Sequence, residues 1–388
     1  MMINQYFDGL RAKVLARHVC VAIVSVATVV VLAACSSGTK RPQPAELTAV
    51  MPLVAAPQLW VSRVGPVTFS LQPGIANNTV SLASDDGIVA MLDAKTGRDI
   101  WRVALATPIS AGVGSDGVTA AVVTRANELV TLRNGRELWR QKLLAQTFTA
   151  PFIAGGRVFV LAADRSVNAF DGETGRKLWT QQRPNEPLVL KQGGVMLAVG
   201  DTLVVGLAGR LAGLNPLNGS VRWEAPIATP RGINDVERLV DLVSGIYREN
   251  DTVCARAFQA SIGCVNAARG NLLWTKPAHG IQGIGGDGRL VFGSESDGNV
   301  IALKMVDGEK VWTSERLRYR SLSAPVAAGR SVVLGDSLGF LHLLSRDDGS
   351  LLNRLTTDGS AISVSPVMVG NTMVVVTRNG GVFGYQPE

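Results

Sequence analysis

The chain has 388 residues, 46% of them hydrophobic, 5% aromatic and 18% charged, with a formal net charge of +7. That apolar fraction excludes an intrinsically disordered chain, which would lack the surface to offset the entropy of ordering. The 42 glycines and 17 prolines, without a collagen-like period, argue for many short strands rather than long helices, and three histidines are too few for a histidine-based metal centre.

Residues 1–17 carry Arg11, Lys13 and Arg17 against one acid, Asp8, and positions 19–34 carry no charge at all. A membrane-spanning helix needs about 20 apolar residues. A shorter run with a basic front and small residues at its end has the anatomy of a secretory signal peptide. Its last residues, Leu32-Ala33-Ala34-Cys35, resemble the lipobox of bacterial lipoproteins. That resemblance implies cleavage before Cys35, acylation of its thiol with palmitate among the chains, and, from Ser36, sorting to the outer membrane. Cys20 lies upstream and is discarded. Several acyl chains on one residue anchor a protein stably without a span.

Loss of residues 1–34 lowers the net charge to +5. No dense Lys/Arg run or aromatic-interleaved basic stripe remains, which argues against a nucleic-acid partner. Residues 36–57 contain four prolines and no period. They read as a tether with a reach of about 25–30 Å, giving a signal peptide over 1–34, a lipidated tether over 35–57 and a globular body over 58–388.

The body is a repeat. Aligning tryptophans gives DAKTGRDIW (93–101), RNGRELW (133–139), DGETGRKLW (171–179), NPLNGSVRW (215–223), NAARGNLLW (266–274) and KMVDGEKVW (304–312). A seventh copy, SRDDGSLLN (345–353), has Asn353 at the tryptophan position. In every copy a glycine stands four residues before the last position, from Gly97 to Gly349. Glycine there supplies the positive φ of a tight turn between strands. The tryptophan that follows can wedge between units and bury about 150–250 Å².

Ahead of the turns lie eight apolar-alternating hairpins, such as GGRVFVLAADRSVNAFD (155–171) and DGRLVFGSESDGNVIALK (287–304). Eight hairpins against seven turn-plus-tryptophan strands leave one outer strand missing. Leu59-Trp60-Val61 supplies it from the front. A strand from the amino terminus that completes the last unit closes a ring and removes sheet edges. Residues 58–388 allow about 41 residues per unit, the size of a four-stranded blade. The expected fold is therefore all-β, an eight-bladed β-propeller of four-stranded antiparallel blades.

The repeat resembles the quinoprotein-type propeller family, whose A-x-D-x-x-T-G-x-x-x-W signature is best matched by AFDGETGRKLW (169–179). One branch of that family is the quinone-dependent alcohol dehydrogenases, which carry a disulfide of adjacent cysteines, a calcium site and a catalytic aspartate over the ring. Here the mature cysteines are Cys35, Cys254 and Cys264, none adjacent, and the chain has little room for inserted active-site loops. The other branch, the BamB lipoproteins of the outer-membrane β-barrel assembly (BAM) machine, matches the lipobox, tether, size and blade number. The resemblance implies a non-catalytic scaffold without cofactor or metal. Its partners would be the periplasmic domains of BamA, other BAM subunits, unfolded outer-membrane β-barrel proteins and, through the lipid, the inner leaflet of the outer membrane. A quinone-dependent dehydrogenase-like protein and a generic periplasmic binding propeller are the alternatives.

In BamB proteins an L-x-L-R segment and an R-L-x-D-x-D segment form the BamA-binding surface. The matching positions here are Leu188, Leu190 and Lys191, then Arg238, Leu239 and Asp241. Lys191 replaces the family arginine and loses its planar fork. Val243 stands at the place of the second aspartate. Strand packing is the plainer reading of Leu188 and Leu190, and loop capping that of Asp241.

Cys254 and Cys264 lie on two strands of one hairpin. A three-residue turn centred on Gln259 sets them opposite each other, where a disulfide could form, whereas a two-residue turn sends them to opposite faces. His279 and His342 have no cysteine or carboxylate at metal-ligand spacing and read as exposed or hydrogen-bonded side chains. No G-x-S-x-G run marks a nucleophilic triad.

Overall fold

A computed structural model describes residues 42–182, 189–230 and 239–388, and residues from Pro44 to Glu388 form one compact unit. Cys35, Leu188 and Arg238 lie outside the described residues. The secondary structure described is entirely strand, in eight four-stranded antiparallel sheets. Blades 1 to 7 occupy residues 74–104, 109–142, 152–181, 196–226, 242–277, 284–314 and 326–356. Blade 8 consists of residues 367–385 closed by Gln58–Arg63.

Within a blade the strands pair in chain order, from the ring's centre outward. The two middle strands read almost wholly apolar, as in Thr119–Thr124 and Arg157–Leu161, because neighbouring blades cover both their faces. The outer strands alternate: in Asn271–Pro277, Trp274 is buried between exposed neighbours. The Gln58–Arg63 strand pairs with Gly381–Tyr385, Trp60 opposite Gly384, so the two ends of the propeller chain meet in one sheet.

Each tryptophan lies against the turn glycine of the next blade. A Cβ added to Gly97 would sit 2.4 Å from the Trp60 ring, and one added to Gly308 2.5 Å from Trp274. Gly97 also holds φ at +70°, so both space and backbone require glycine there. In five of the seven the indole nitrogen also donates to a carbonyl of that turn, as from Trp60 to Ala94 at 3.0 Å and from Trp139 to Gly172 at 2.8 Å. One residue thereby fills the gap between two sheets and satisfies a turn.

The segment expected to be a free tether differs in the structure. Its later part lies against blades 7 and 8, where Val54 and Ala56 are buried with Leu341, Leu343 and Phe383. Ala45 N donates to Arg318 O at 2.9 Å, Leu53 N to Leu352 O at 2.8 Å, and Arg354 Nη1 to Thr48 O at 2.9 Å. An extended, proline-containing strap has no period for a sequence reading to detect. Two buried apolar side chains and several backbone bonds nevertheless hold it to the ring.

Because strands run alternately up and down, the connections between blades share one face with the turns joining the middle strands. Hydrogen bonds link these turns to the connections: Arg125 N to Pro108 O, Ala163 N to Gln146 O, and Gln259 N to Gly280 O, at 2.7–2.9 Å. The glycine turns occupy the opposite face.

Candidate functional site

The two irregular connections join blade 3 to blade 4 and blade 4 to blade 5, and both open on the connection face. Their described parts meet at Asp241. Its Oδ1 accepts from Arg165 Nη2 at 3.0 Å, its Oδ2 from Leu190 N at 3.0 Å, and its carbonyl from Phe258 N at 3.0 Å. Arg165 belongs to the middle turn of blade 3, at φ +61°, and is 7% exposed. One half-buried carboxylate thus ties blades 3 and 5 to the connection entering blade 4. A charge-assisted pair at this burial fixes geometry more firmly than an exposed one.

The 189–192 connection is held again at its far side. Gln192 Nε2 donates to Ile281 O at 2.9 Å, and Gly194 N to Thr149 Oγ1 at 2.9 Å. Val189 and Leu190 are half-buried over a cavity of about 50 Å³ that Phe148, Leu161, Arg165 and Asp241 also line. That space suits the tip of one side chain and is far below the hundreds of Å³ a small-molecule site needs. Lys191 is exposed, Leu239 half-buried and Val240 buried. The structure therefore brings together Leu190, Lys191, Leu239 and Asp241 of the residues expected from the sequence.

Val243, at the place of the second family aspartate, is fully buried, and its cross-strand partner is Arg256. Arg256 is itself fully buried. Burial works against its charge, and it takes a carboxylate from Glu295 of blade 6, Nη1 to Oε1 at 2.8 Å. Arg165 and Gln192, which fix the two connections, carry no motif. Arg165 lies 76 residues from Asp241, and only the assembled ring brings them together.

A second charged cluster lies in blade 7. Asp336 Oδ2 contacts Arg320 Nε at 2.8 Å and His342 Nε2 at 2.9 Å, while Oδ1 accepts from the Leu338 and Phe340 amides. Burial disfavours the Asp336 charge, but the bonds from His342, Phe340 and Arg320 outweigh it and bring its pKa down to about 2. Burial pushes the His342 pKa below the ordinary value against the opposing pull of Asp336, with Arg354 and Arg320 adding to the depression. Arg320 Nη1 also donates to Ala45 O at 2.8 Å, which connects this cluster to the strap. His279 is exposed. Among the described residues no group of three or more His, Cys, Asp or Glu is placed to hold a metal ion.

In blade 5 the turn between the middle strands has three residues, 258–260, and Cys254 and Cys264 face each other in register. Their sulfurs are bonded, with Cα atoms 4.0 Å apart. The bridge is buried beside Trp274 and Tyr247.

Residues 85–314 match the family model described as outer membrane protein assembly factor BamB. A relative from Burkholderia pseudomallei (strain K96243), named outer membrane protein assembly factor BamB, is 37% identical over 94% of this chain and 97% of its own length. Among solved structures, BamB from Moraxella catarrhalis superposes with a TM-score of 0.78 at 22% identity, covering 86% of this chain and all of its own. The quinohemoprotein alcohol dehydrogenase of Comamonas testosteroni superposes at 0.64 with 14% identity, over 85% of this chain and 76% of that one. These last two likenesses concern the fold.

Proposed function

Because the chain belongs to the family of the outer membrane protein assembly factor BamB, we propose that it is a non-catalytic, lipid-anchored scaffold of the BAM complex. In this reading it binds the periplasmic domains of BamA and assists the insertion of β-barrel proteins into the outer membrane. Residues 1–34 are removed, Cys35 carries the acyl chains, and the propeller faces the periplasm beside other BAM subunits and unfolded barrel proteins.

The observation that supports a docking surface is the pair of hydrogen bonds that Asp241 accepts from Leu190 N and Arg165. It holds two connections from different blades as one rigid patch, with Leu190 and Leu239 half-buried and Lys191 exposed beside them. Preorganised loops lose little entropy on binding. The small cavity beneath them suits protein contact rather than a cofactor.

The test is binding of soluble residues 36–388 to the periplasmic domains of BamA from the same organism, by calorimetry. A Leu188/Leu190/Asp241 triple-alanine variant runs alongside, with its fold checked by circular dichroism and thermal melting. Binding by the wild type that the folded variant loses supports the reading. A folded wild-type protein that does not bind overturns it.

A further inference from the structure

We infer that the concavity where blades 1, 2 and 3 meet on the connection face takes an acidic side chain of the protein docked on the neighbouring 189–192 connection. The inference rests on the docking reading above and names the chemistry of a second contact.

The concavity has a volume of about 660 Å³. It lies between the connection entering blade 1, the middle turn of blade 2 and the connection entering blade 3. Phe69 and Phe148 form apolar walls, and Arg125 and Lys191 stand exposed at its rim. Phe148 also lines the small cavity under Leu190, and Lys191 is the next residue in the chain. A partner seated on Leu190 therefore has this space within reach of its neighbouring side chains.

The charged side chains that line it are all cationic. No carboxylate is among the residues that line the space. Among the described residues neither Arg125 nor Lys191 makes an ion pair, whereas Arg102, Arg133, Arg140, Arg222 and Arg289 each have at least one. Asp85, bonded to Thr68 on the rim, accepts from the Thr68 amide and hydroxyl. Thr147, 2% exposed, adds to the lining a hydroxyl with no hydrogen-bond partner among the described residues. Unpaired cations beside a partly apolar space favour a carboxylate on an aliphatic stem, an aspartate or glutamate side chain, over a fully solvated anion.

The experiment uses the same soluble chain and BamA domains. Arg125→Ala and Lys191→Ala are made singly and together, with Leu190→Ala as reference. Both cations are exposed, so the fold should survive their loss, and thermal melting checks this. The double variant should bind roughly tenfold more weakly than wild type. Its affinity should also fall less steeply with added salt. If Leu190→Ala weakens binding while the double variant keeps wild-type affinity and salt dependence, the inference fails and the docking reading stands. If wild type does not bind, both fail. If the two cations instead govern binding to phosphatidylglycerol vesicles and leave the BamA affinity unchanged, the site is for a lipid headgroup and the inference is overturned.

Discussion

Asn353 donates from its side-chain Nδ2 to the carbonyl of Val54, at 2.9 Å, in the place where the other repeats have a tryptophan packed on the turn of the next blade. The substitution follows from how the ring closes. The outer strand of blade 8 comes from the amino terminus, so blade 8 has no glycine turn before its outer strand for an indole to rest on. The strap occupies that space, and the shorter amide reaches its backbone. Asn353→Ala should therefore lower stability by about 1–2 kcal/mol, the cost of a buried hydrogen bond lost with its partner left unpaired. Asn353→Trp should be worse, because the ring would displace the strap. Urea unfolding of the two variants tests the order.

Asp241 carries a structural load whatever docks on it. Asp241→Ala removes the acceptor for Leu190 N and a carboxylate from a buried arginine, and should cost about 2–3 kcal/mol. Asp241→Asn keeps an acceptor for the amide and should fall between the two. Hydrogen exchange at the Leu190 amide should quicken in the alanine variant more than in asparagine. Equal exchange in all three proteins would mean that the carboxylate does not hold the connection.

Acid should loosen blade 7 in two stages. His342 is depressed in the folded state, so its share of stability is present above the unfolded value near 6.5 and is lost as pH falls below it. Asp336 is also depressed, to about 2. Its contribution, roughly 2–3 kcal/mol, is present above the ordinary carboxylate value and disappears as pH falls from about 4 to 2. Denaturant midpoints at pH 7.5, 6 and 5 should decline in the wild type and decline less in His342→Gln.

The bridge between Cys254 and Cys264 closes a short loop. In the chain-entropy account such a loop is worth about 2–3 kcal/mol. A Cys254→Ser, Cys264→Ser double variant should melt lower by a margin that reductant abolishes in the wild type. Alkylation under denaturing conditions should label both thiols after reduction and neither before.

The ring was legible because its physics repeats. Each glycine turn and each tryptophan solves the same packing problem at the same spacing, from Gly97 to Gly349. The closing strand could be read as well, since Trp60 is an eighth tryptophan-like edge without a turn of its own. The strap could not, because Val54 and Ala56 show no periodicity and the bond from Asn353 to Val54 spans 299 positions. Of the patch proposed for docking, the motif had picked out Leu190 and Asp241, and the structure shows that these two are bonded to each other. Arg165, which holds Asp241, stands in a turn that no repeat or motif marks. Phe69, Phe148 and Arg125 come from separate blades and converge only when the ring has closed.

In the proposed reading the strap also sets where the ring would be moored. The described chain first touches the propeller between blades 6 and 7, at Arg318, and runs along blade 7 before becoming the outer strand of blade 8. Around eight blades, the seventh stands opposite the third, which supplies Arg165 to the docking patch. With an acylated Cys35, the eight residues 36–43 could span at most about 28 Å of chain. The membrane would hold the ring by one rim and the protein partner by the other. A disc so gripped at opposite points would rock about the line between them rather than spin, and the amino-terminal residues of the strap would decide which line that is.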